Sequence, residues 1–145
     1  MKDEKKYVDG SAIRLQFDYD VLNKISFFSV CDFPLGVNSG DLTDVSFAAS
    51  SFNVLHEPRA ARLNRVIGGG AWCAQKNTPG EYLEIDLGQK SYVTGISTQG
   101  KHGQDRKWVT EYELYHRSDI KSAYRPYKFA NGTTKVSIEI GRAHV

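Results

Sequence analysis

Short apolar segments separated by turn residues run along the chain from residue 31 onward. In residues 82–87, the apolar side chains of Leu83, Ile85 and Leu87 alternate with more polar neighbours. A period of two places alternate side chains on one face of an extended backbone. The pattern therefore predicts a strand with one buried and one wet face.

Further extended segments follow at close intervals. Residues 88–91 predict a turn, residues 92–98 are rich in β-branched side chains, and residues 108–115 alternate again, with Tyr112 and Leu114 on the same face. The 13 glycines and single methionine suit turns and stiff strands better than a helical bundle. Several short strands at this spacing predict an all-β antiparallel sandwich or barrel, and no internal repeat or second domain is visible.

Composition and charge narrow the range of partners. With 145 residues, 40% of them hydrophobic, the chain has room for one domain with a real core. The 19 Lys and Arg against 17 Asp and Glu leave a formal charge of +2, which is too balanced to indicate nucleic acid as a partner. No apolar run approaches the roughly 20 residues that span a bilayer.

The N-terminal segment is hard to place from its residues. It is charged at first, and its later apolar stretch is interrupted by Asn23 and Lys24. A secretory signal has about 7 to 15 continuous apolar residues, and no such run is present. We therefore expect a linker or an ill-defined start over residues 1–30, and a folded domain over residues 31–139.

Catalytic and metal-binding motifs are missing from the sequence. The four histidines are scattered, and there is no nucleophile elbow, zinc-protease motif or phosphate-cradling loop. We expect no enzymatic activity, no cofactor and no metal site. The two cysteines, Cys31 and Cys73, leave three alternatives open at this point: a mutual disulfide, a reactive thiol or a metal ligand.

An ordered set of motifs gives the chain a family resemblance. The set comprises "CDFPLGVNSG", "FAASSF", "RAARLN", "AWCAQ", "EYLEIDLG", "VTGISTQG" and "WVTEYELYHRSD". It strongly resembles the discoidin family, the C-type domains of coagulation factors V and VIII. The resemblance implies a distorted jelly-roll β-barrel, secreted or on a cell surface, whose loops at one end bind ligands. Within the family, "AWC" and "TQGKHG" look most like the discoidin domains of collagen-receptor tyrosine kinases.

The resemblance also implies roles for the cysteines. Cys31 and Cys73 match halves of two structural disulfides whose partners lie near the C-terminal end of the family domain, and both partners are missing here. The last residues, "IGRAHV", match what a common sequencing adapter encodes in one reading frame. We therefore expect residues 140–145 to be an artefact, the domain to lack its last strands, and the Cys73 thiol to be free.

Phe52, Asn53, Val54, Leu55 and His56 occupy the position of the family's first projecting loop. Lipid-binding members expose apolar side chains there, and the collagen receptors use it for part of the collagen-binding surface. The apolar residues suit either task, at about 25 cal/mol per Å² removed from water. Asn53 replaces the tryptophan expected for collagen binding. The alternative is that Phe52 or Leu55 packs beneath the loop.

Lys101, His102, Arg106 and Lys107 belong to a second loop, which is cationic and polar. This composition suits carboxylates, sulfated glycans or a protein partner better than a lipid. Lys101 stands where the collagen receptors carry a ligand-contacting arginine, and it offers charge without the bidentate fork. An ordinary solvated turn is the alternative.

Other positions are interpreted as structural. Arg62 and Asp86 suit buried, charge-assisted hydrogen bonds, and Trp72 and Trp108 suit the core or a barrel end. Asn131 begins an Asn-Gly-Thr sequon, which predicts N-glycosylation if the protein enters the secretory pathway.

The resemblance and the two loops together predict an extracellular adhesion or receptor module. We expect it to bind a matrix or cell-surface protein through the loops at one end. The first alternative is a membrane-surface module that binds anionic phospholipid such as phosphatidylserine through Phe52, Val54 and Leu55. The second is a glycan-binding, lectin-like module, which rests on fold analogy.

Overall fold

A computed structural model describes residues 8–17, 22–28, 34–101 and 107–137. Its strands are β1 (Val8–Phe17), β2 (Leu22–Phe28), β3 (Phe47–Ala49), β4 (Trp72–Cys73), β5 (Glu81–Val93), β6 (Gly95–Gln99), β7 (Glu111–Arg117), β8 (Arg125–Pro126) and β9 (Lys135–Ser137). Short 3-10 helices cover Asp44–Ser46, Pro58–Ala61 and Gly68–Gly70. Within these described ranges no helix is long and apolar enough to cross a membrane. The predicted all-β fold is confirmed.

The strands form two antiparallel sheets. The larger sheet has the order β3-β5-β1-β7-β8, and β9 also pairs with β7. The smaller sheet has the order β4-β2-β6. Apart from β7, which pairs with the next strands β8 and β9, the paired strands come from distant parts of the chain, so the fold depends mainly on long-range pairing.

β1 is the central strand of the larger sheet. Leu15 lies opposite Leu83 of β5 on one side and Leu114 of β7 on the other. Leu15 and its neighbour Ile13 are each 1% exposed. The expectation of a linker over residues 1–30 therefore does not fit the described part of that segment, because β1 supplies core side chains.

The outer face of β1 is polar, which explains why the segment does not look like a core strand in the sequence. Arg14 forms an ion pair with Glu84 at 2.8 Å, and Arg117 approaches the same carboxylate at 3.1 Å. The Arg14 guanidinium also lies 3.9 Å from the ring centroids of both Tyr82 and Tyr124. Arg14 thus stabilises the outer surface, while Ile13 and Leu15 are buried in the core.

The core combines apolar side chains from both sheets. The alternating residues Leu83, Ile85 and Leu87 of β5 are buried as the sequence predicts. The smaller sheet contributes Trp72, which is fully buried, and Ile96. Burial of so large a ring makes Trp72 one of the main anchors between the sheets.

Two local predictions differ from the structure. Residues 88–91 do not end a strand, because β5 continues to Val93. They form a bulge instead, since Ala12 lies opposite Asp86 whereas Gly10 lies opposite Ser91. The alternation predicted from residue 108 begins only at residue 111, where β7 starts.

One end of the larger sheet collects the loops that resemble the ligand-binding loops of the family. Phe17 of β1 lies opposite Glu81 and Tyr112, so β5 and β7 begin at the same end. β3 ends there too, because Ala49 lies opposite Leu83. We call this end of the larger sheet the loop end. Residues 50–56 begin there, directly after β3.

Candidate functional site

The first predicted loop, residues 52–56, is tied to β4 through its backbone. The Asn53 amide donates to the Cys73 carbonyl at 2.9 Å, and the Cys73 amide donates to the His56 carbonyl at 3.2 Å. The His56 amide donates to the Asn53 carbonyl at 2.8 Å, which closes a tight turn. The turn leaves Val54 and Leu55 at its tip.

The polar side chains of this loop turn back onto the protein. The Asn53 amide nitrogen donates to the Ala74 carbonyl at 3.0 Å and lies 3.3 Å from the Cys73 sulfur. The His56 ring nitrogen Nδ1 lies 3.1 Å from the Ala71 carbonyl. Asn53 and His56 therefore hold the loop in shape. Because these contacts occupy their polar groups, fewer hydrogen-bonding groups remain for a ligand.

The apolar side chains of the same loop face solvent. Val54 is 85% exposed, Leu55 is 72% exposed and Phe52 is 46% exposed. Leu55 therefore does not pack beneath the loop, whereas Phe52 has about half of its surface covered.

A second pair of exposed aliphatic residues, Val66 and Ile67, lies on another segment, and Ile67 lines a cleft together with Val54 and Leu55. Val66 and Ile67 are 79% and 70% exposed. They were missed in the sequence because no family motif covers them. The signal that could have found them is an aliphatic pair between Arg65 and the three glycines 68–70.

An open cleft of about 270 Å³ separates the two apolar loops. Val54, Leu55 and Ile67 line it from opposite sides, together with Ala60 and Gly68. The charged residues Glu57, Arg59 and Arg65 complete its wall. The arrangement is an apolar surface with charged groups at its edge, which in a monomeric protein commonly marks an interaction site. We call Val54, Leu55, Val66 and Ile67 the aliphatic patch.

The arginines near the patch are held by acidic side chains. Arg59 contacts Glu57 at 2.5 Å and Asp44 at 3.6 Å, and Arg65 lies 3.9 Å from Asp44. The hydrogen bond from Arg62 holds the pKa of Asp44 below its usual value, although partial burial opposes this. The carboxylate thus stays charged and positions the cations beside the cleft.

Arg62 has a structural role. It is 5% exposed, and its guanidinium donates to the backbone carbonyls of Val37 and Leu42 as well as to Asp44. Its charge is compensated within the fold, so it ties the segment around residues 37–44 to the segment that precedes Val66 and Ile67.

A hydroxyl cluster supports the base of the first loop. Ser50 and Ser51 donate to the Glu81 carboxylate at 2.5 and 2.6 Å, and the Trp72 indole donates to the Ser51 carbonyl at 3.0 Å. Burial disfavours the charged Glu81, but the hydrogen bonds from the serines and from Thr78 outweigh it and lower its pKa. The first loop therefore starts from a fixed anchor.

The second predicted loop joins the loop end through its two described ends. The Lys101 amide donates to the Lys107 carbonyl at 2.8 Å, which brings these two cationic residues together. The Asn64 amide donates to the Gln99 side chain at 2.9 Å, which links this loop to the segment that precedes the aliphatic pair. His102 and Arg106 lie outside the described residues.

The remaining predicted positions lie apart from the patch or outside the structure. Cys73 is partly buried and carries a free thiol beneath the first loop. Cys31 and residues 140–145 lie outside the described residues. Asn131 is exposed on the connection between β8 and β9, away from the loop end.

A family model for the F5/8 type C domain matches residues 46–142. The chain belongs to the F5/8 type C, or discoidin, domain family. The resemblance found in the sequence is confirmed, and the antiparallel all-β structure agrees with a discoidin jelly roll. Domains of this family are binding modules rather than enzymes.

Among curated proteins, this F5/8 type C domain is similar to coagulation factor V of Mus musculus, with 33% identity over 94 residues, 61% of the chain and 4% of the relative. It is equally similar, 33% identical over 101 residues, to the non-catalytic subunit of the venom prothrombin activator pseutarin-C of Pseudonaja textilis, covering 67% of the chain and 7% of the relative. The chain thus spans only a small part of these relatives. No solved structure matches it.

Proposed function

We propose that this domain is an extracellular module that binds an anionic membrane surface through its loop end. The observation that carries the proposal is the aliphatic patch, whose four side chains are each 70% exposed or more and lie on two adjoining loops. From the sequence, a matrix or cell-surface protein is the expected ligand and anionic phospholipid is the first alternative. We place the membrane first because of the aliphatic patch. Val66 and Ile67 add apolar area that the sequence interpretation did not include.

The apolar contribution is the larger one. Burying a Val, Leu or Ile side chain completely contributes about 1.5–3 kcal/mol, and each member of the patch still has most of its surface in water. The backbone hydrogen bonds at Asn53 and His56 hold the first loop in place before contact. Binding therefore orders few additional groups, which favours affinity.

The charge around the patch contributes a smaller, salt-sensitive part. Arg59 and Arg65 border the cleft, and Lys101 and Lys107 belong to the adjoining loop. A basic side chain near an anionic membrane contributes about 1 kcal/mol. Asp44 and Glu57 offset part of the arginine charge. This balance supports moderate, anionic-lipid-dependent binding rather than adsorption by charge alone.

The extracellular location is supported by the relatives. They are a coagulation factor and a venom protein, both of which act outside cells. The discoidin resemblance implies the same location, since its members are secreted or lie on a cell surface.

Vesicle sedimentation tests the membrane proposal. The protein should sediment with vesicles of phosphatidylcholine and phosphatidylserine, and less with phosphatidylcholine alone. Leu55→Asp and Ile67→Asp should each weaken binding about tenfold or more, equivalent to about 1.4 kcal/mol. Ile120→Asp is the matched control, because Ile120 is 74% exposed but follows β7 at the opposite end of the sheet.

The control should bind like the unchanged protein. Equal binding by all three variants would mean that the aliphatic patch does not contact lipid. Equal binding to both vesicle types would remove the requirement for an anionic lipid.

A matrix or cell-surface protein is the second candidate ligand. The backbone hydrogen bond from Lys101 to Lys107 supports it, because it holds two basic residues next to each other in the second loop. Binding to immobilised matrix proteins that falls for Lys101→Glu with Lys107→Glu, and persists for Leu55→Asp, would favour this candidate over the membrane.

A further inference from the structure

The segment from residue 121 to residue 128 concentrates positive charge. It contains Lys121, Arg125 and Lys128 and none of the 17 Asp and Glu, so it carries more positive charge than the formal +2 of the whole chain. All three basic residues are exposed, and none of them forms an ion pair with another described residue. We call Lys121, Arg125 and Lys128 the basic strip.

The carboxylates that border the strip form hydrogen bonds within the protein. Asp119 accepts from the Ser122 hydroxyl at 2.6 Å and from the Lys121 backbone amide at 2.8 Å, which closes the turn before β8. Glu113 accepts from the Thr134 hydroxyl at 2.6 Å. The ammonium and guanidinium groups of the strip are therefore available to a ligand.

The two tyrosines of the segment are turned towards the protein. The Tyr124 ring lies 3.9 Å from the guanidinium carbon of Arg14 and 4.8 Å from that of Arg117. The Tyr127 ring packs against the core, and its amide donates to the Leu114 carbonyl at 2.8 Å. These contacts fix the backbone of the segment, so little of it has to be ordered when a ligand binds.

Further positive charge lies behind the strip. Arg14 and Arg117 share the single carboxylate of Glu84, at 2.8 and 3.1 Å, so two cations face one anion. The arginine side chains are only 24% and 17% exposed. Because partly buried charges are screened less than exposed ones, this excess adds to the positive potential around Tyr124 and the strip.

We propose that the basic strip binds a linear sulfated polysaccharide, a ligand separate from that of the loop end. Its three cations follow one another along a single segment that spans at most about 25 Å. This layout suits an extended polyanion, which can contact the cations in turn, better than one compact anion. Arginine also donates two parallel hydrogen bonds to an oxyanion, which suits Arg125 to a sulfate group.

The side chains around the strip favour a polysaccharide over a protein ligand. Protein interfaces are centred on buried aromatic and apolar anchors. Tyr124 and Tyr127 are used inside the fold, and within residues 118–130 Ile120 is the only large apolar side chain that is exposed. The strip therefore offers charge with little apolar area to bury.

The position of the strip leaves the loop end free. β7 begins at the loop end and ends at Arg117, so Lys121 follows at the opposite end of the sheet. β8 then returns beside β7, with Arg125 opposite His116. One domain can therefore hold a polysaccharide while its loop end contacts a membrane.

Calorimetric titration of the full chain with a heparin octasaccharide tests the proposal. The octasaccharide should bind, and a fully desulfated octasaccharide of the same backbone should bind far more weakly. Affinity should fall as salt rises, because binding a polyanion releases its condensed counterions.

Two double variants remove the same amount of charge from different places. Arg125→Gln with Lys128→Gln should weaken octasaccharide binding about tenfold and flatten its salt dependence, since contacts to the polyanion are lost. Lys101→Gln with Lys107→Gln, in the second loop, is the matched control and should leave binding nearly unchanged. Arg125→Lys with Lys128→Arg keeps both charges and should retain most of the affinity.

The strip variants should fold, because Arg125 and Lys128 are exposed and form no ion pair in the described part of the chain. Urea unfolding checks this. The glutamine variant should also sediment with anionic vesicles like the unchanged protein, so this proposal and the membrane proposal can fail separately.

Three results would overturn the proposal. Absence of octasaccharide binding would remove the site. Equal weakening by the two glutamine variants would mean that net charge, rather than the strip, attracts the polyanion. Equally tight, strip-dependent binding of a polyglutamate peptide would assign the strip to an acidic protein segment instead.

Discussion

At the scale of single residues, Gly69 permits the two apolar loops to meet. Its φ of 74° lies in the left-handed region, which side chains with a Cβ rarely adopt. A Cβ at this position would lie 2.4 Å from the Leu55 carbonyl oxygen and the His56 ring. The close approach of the residue 66–70 segment to the residue 52–56 loop therefore requires a glycine.

Gly69→Ala should lower the free energy of unfolding by more than Gly80→Ala. Both changes add about 1 kcal/mol or more of left-handed backbone strain, but Gly80, at φ 94°, has nothing within 4 Å of its Cβ position. The additional clash at Gly69 should also displace Leu55 and weaken vesicle binding. Urea unfolding and vesicle sedimentation measure the two effects. Equal destabilisation by both variants would contradict the close approach of residues 66–70 to residues 52–56.

In the first loop, residue type alone does not show which side chains hold the loop in place and which face solvent. Asn53 and His56 were predicted to bind ligand, yet their side chains contact the Ala74 and Ala71 carbonyls. Val54 and Leu55 were predicted from the same stretch and do face solvent. A polar side chain can bond to solvent, to ligand or to its own backbone, and only the position of β4 decides between these.

At the scale of elements, β1 determines whether the larger sheet is continuous. It pairs with β5 and β7, which have no other strand between them. Without β1, the two halves of the larger sheet would each expose a long edge. The N-terminal segment therefore contributes to stability although its charged residues suggested a linker.

Leu15→Ala should reduce the free energy of unfolding by about 2–5 kcal/mol, because it removes a buried side chain between two strands. Gln16→Ala is the matched control on the outer face and should change stability by no more than about 0.5 kcal/mol. Chemical denaturation followed by tryptophan fluorescence measures both. No effect of Leu15→Ala would restore the interpretation of residues 1–30 as a linker.

Strand prediction succeeded where apolar and polar residues alternate over several positions. The buried face of β5 was predicted residue by residue, because Leu83, Ile85 and Leu87 repeat with a period of two. β4 spans only Trp72 and Cys73, and a segment of that length carries no period. It is a strand because of its partner, which local sequence does not encode.

At the scale of the whole molecule, the two tryptophans report on different regions. Trp72 is fully buried in the core, whereas Trp108 is 40% exposed directly after Lys107 at the loop end. Any change of environment at the loop end on binding should therefore alter the Trp108 signal and leave Trp72 unchanged.

Anionic vesicles should shift the tryptophan emission to shorter wavelength, and the shift should disappear in Trp108→Phe. Raising the salt should reduce binding in part, because the Debye length falls from about 10 Å at 0.1 M to about 3 Å at 1 M and screens the cations. The aliphatic contribution should persist. Complete loss of binding at high salt would indicate that charge alone attaches the domain.

The sequence by itself determined the class of fold, the family and the existence of two candidate loops. These follow from alternation, turn residues and ordered motifs, all of which are local properties of the chain. The tertiary structure decided that β1 belongs to the sheet and that Ile67 lines the same cleft as Val54 and Leu55. Each of these depends on which distant segments pair across the sheets, and hydrophobic pattern fixes the faces of a strand but not its neighbours.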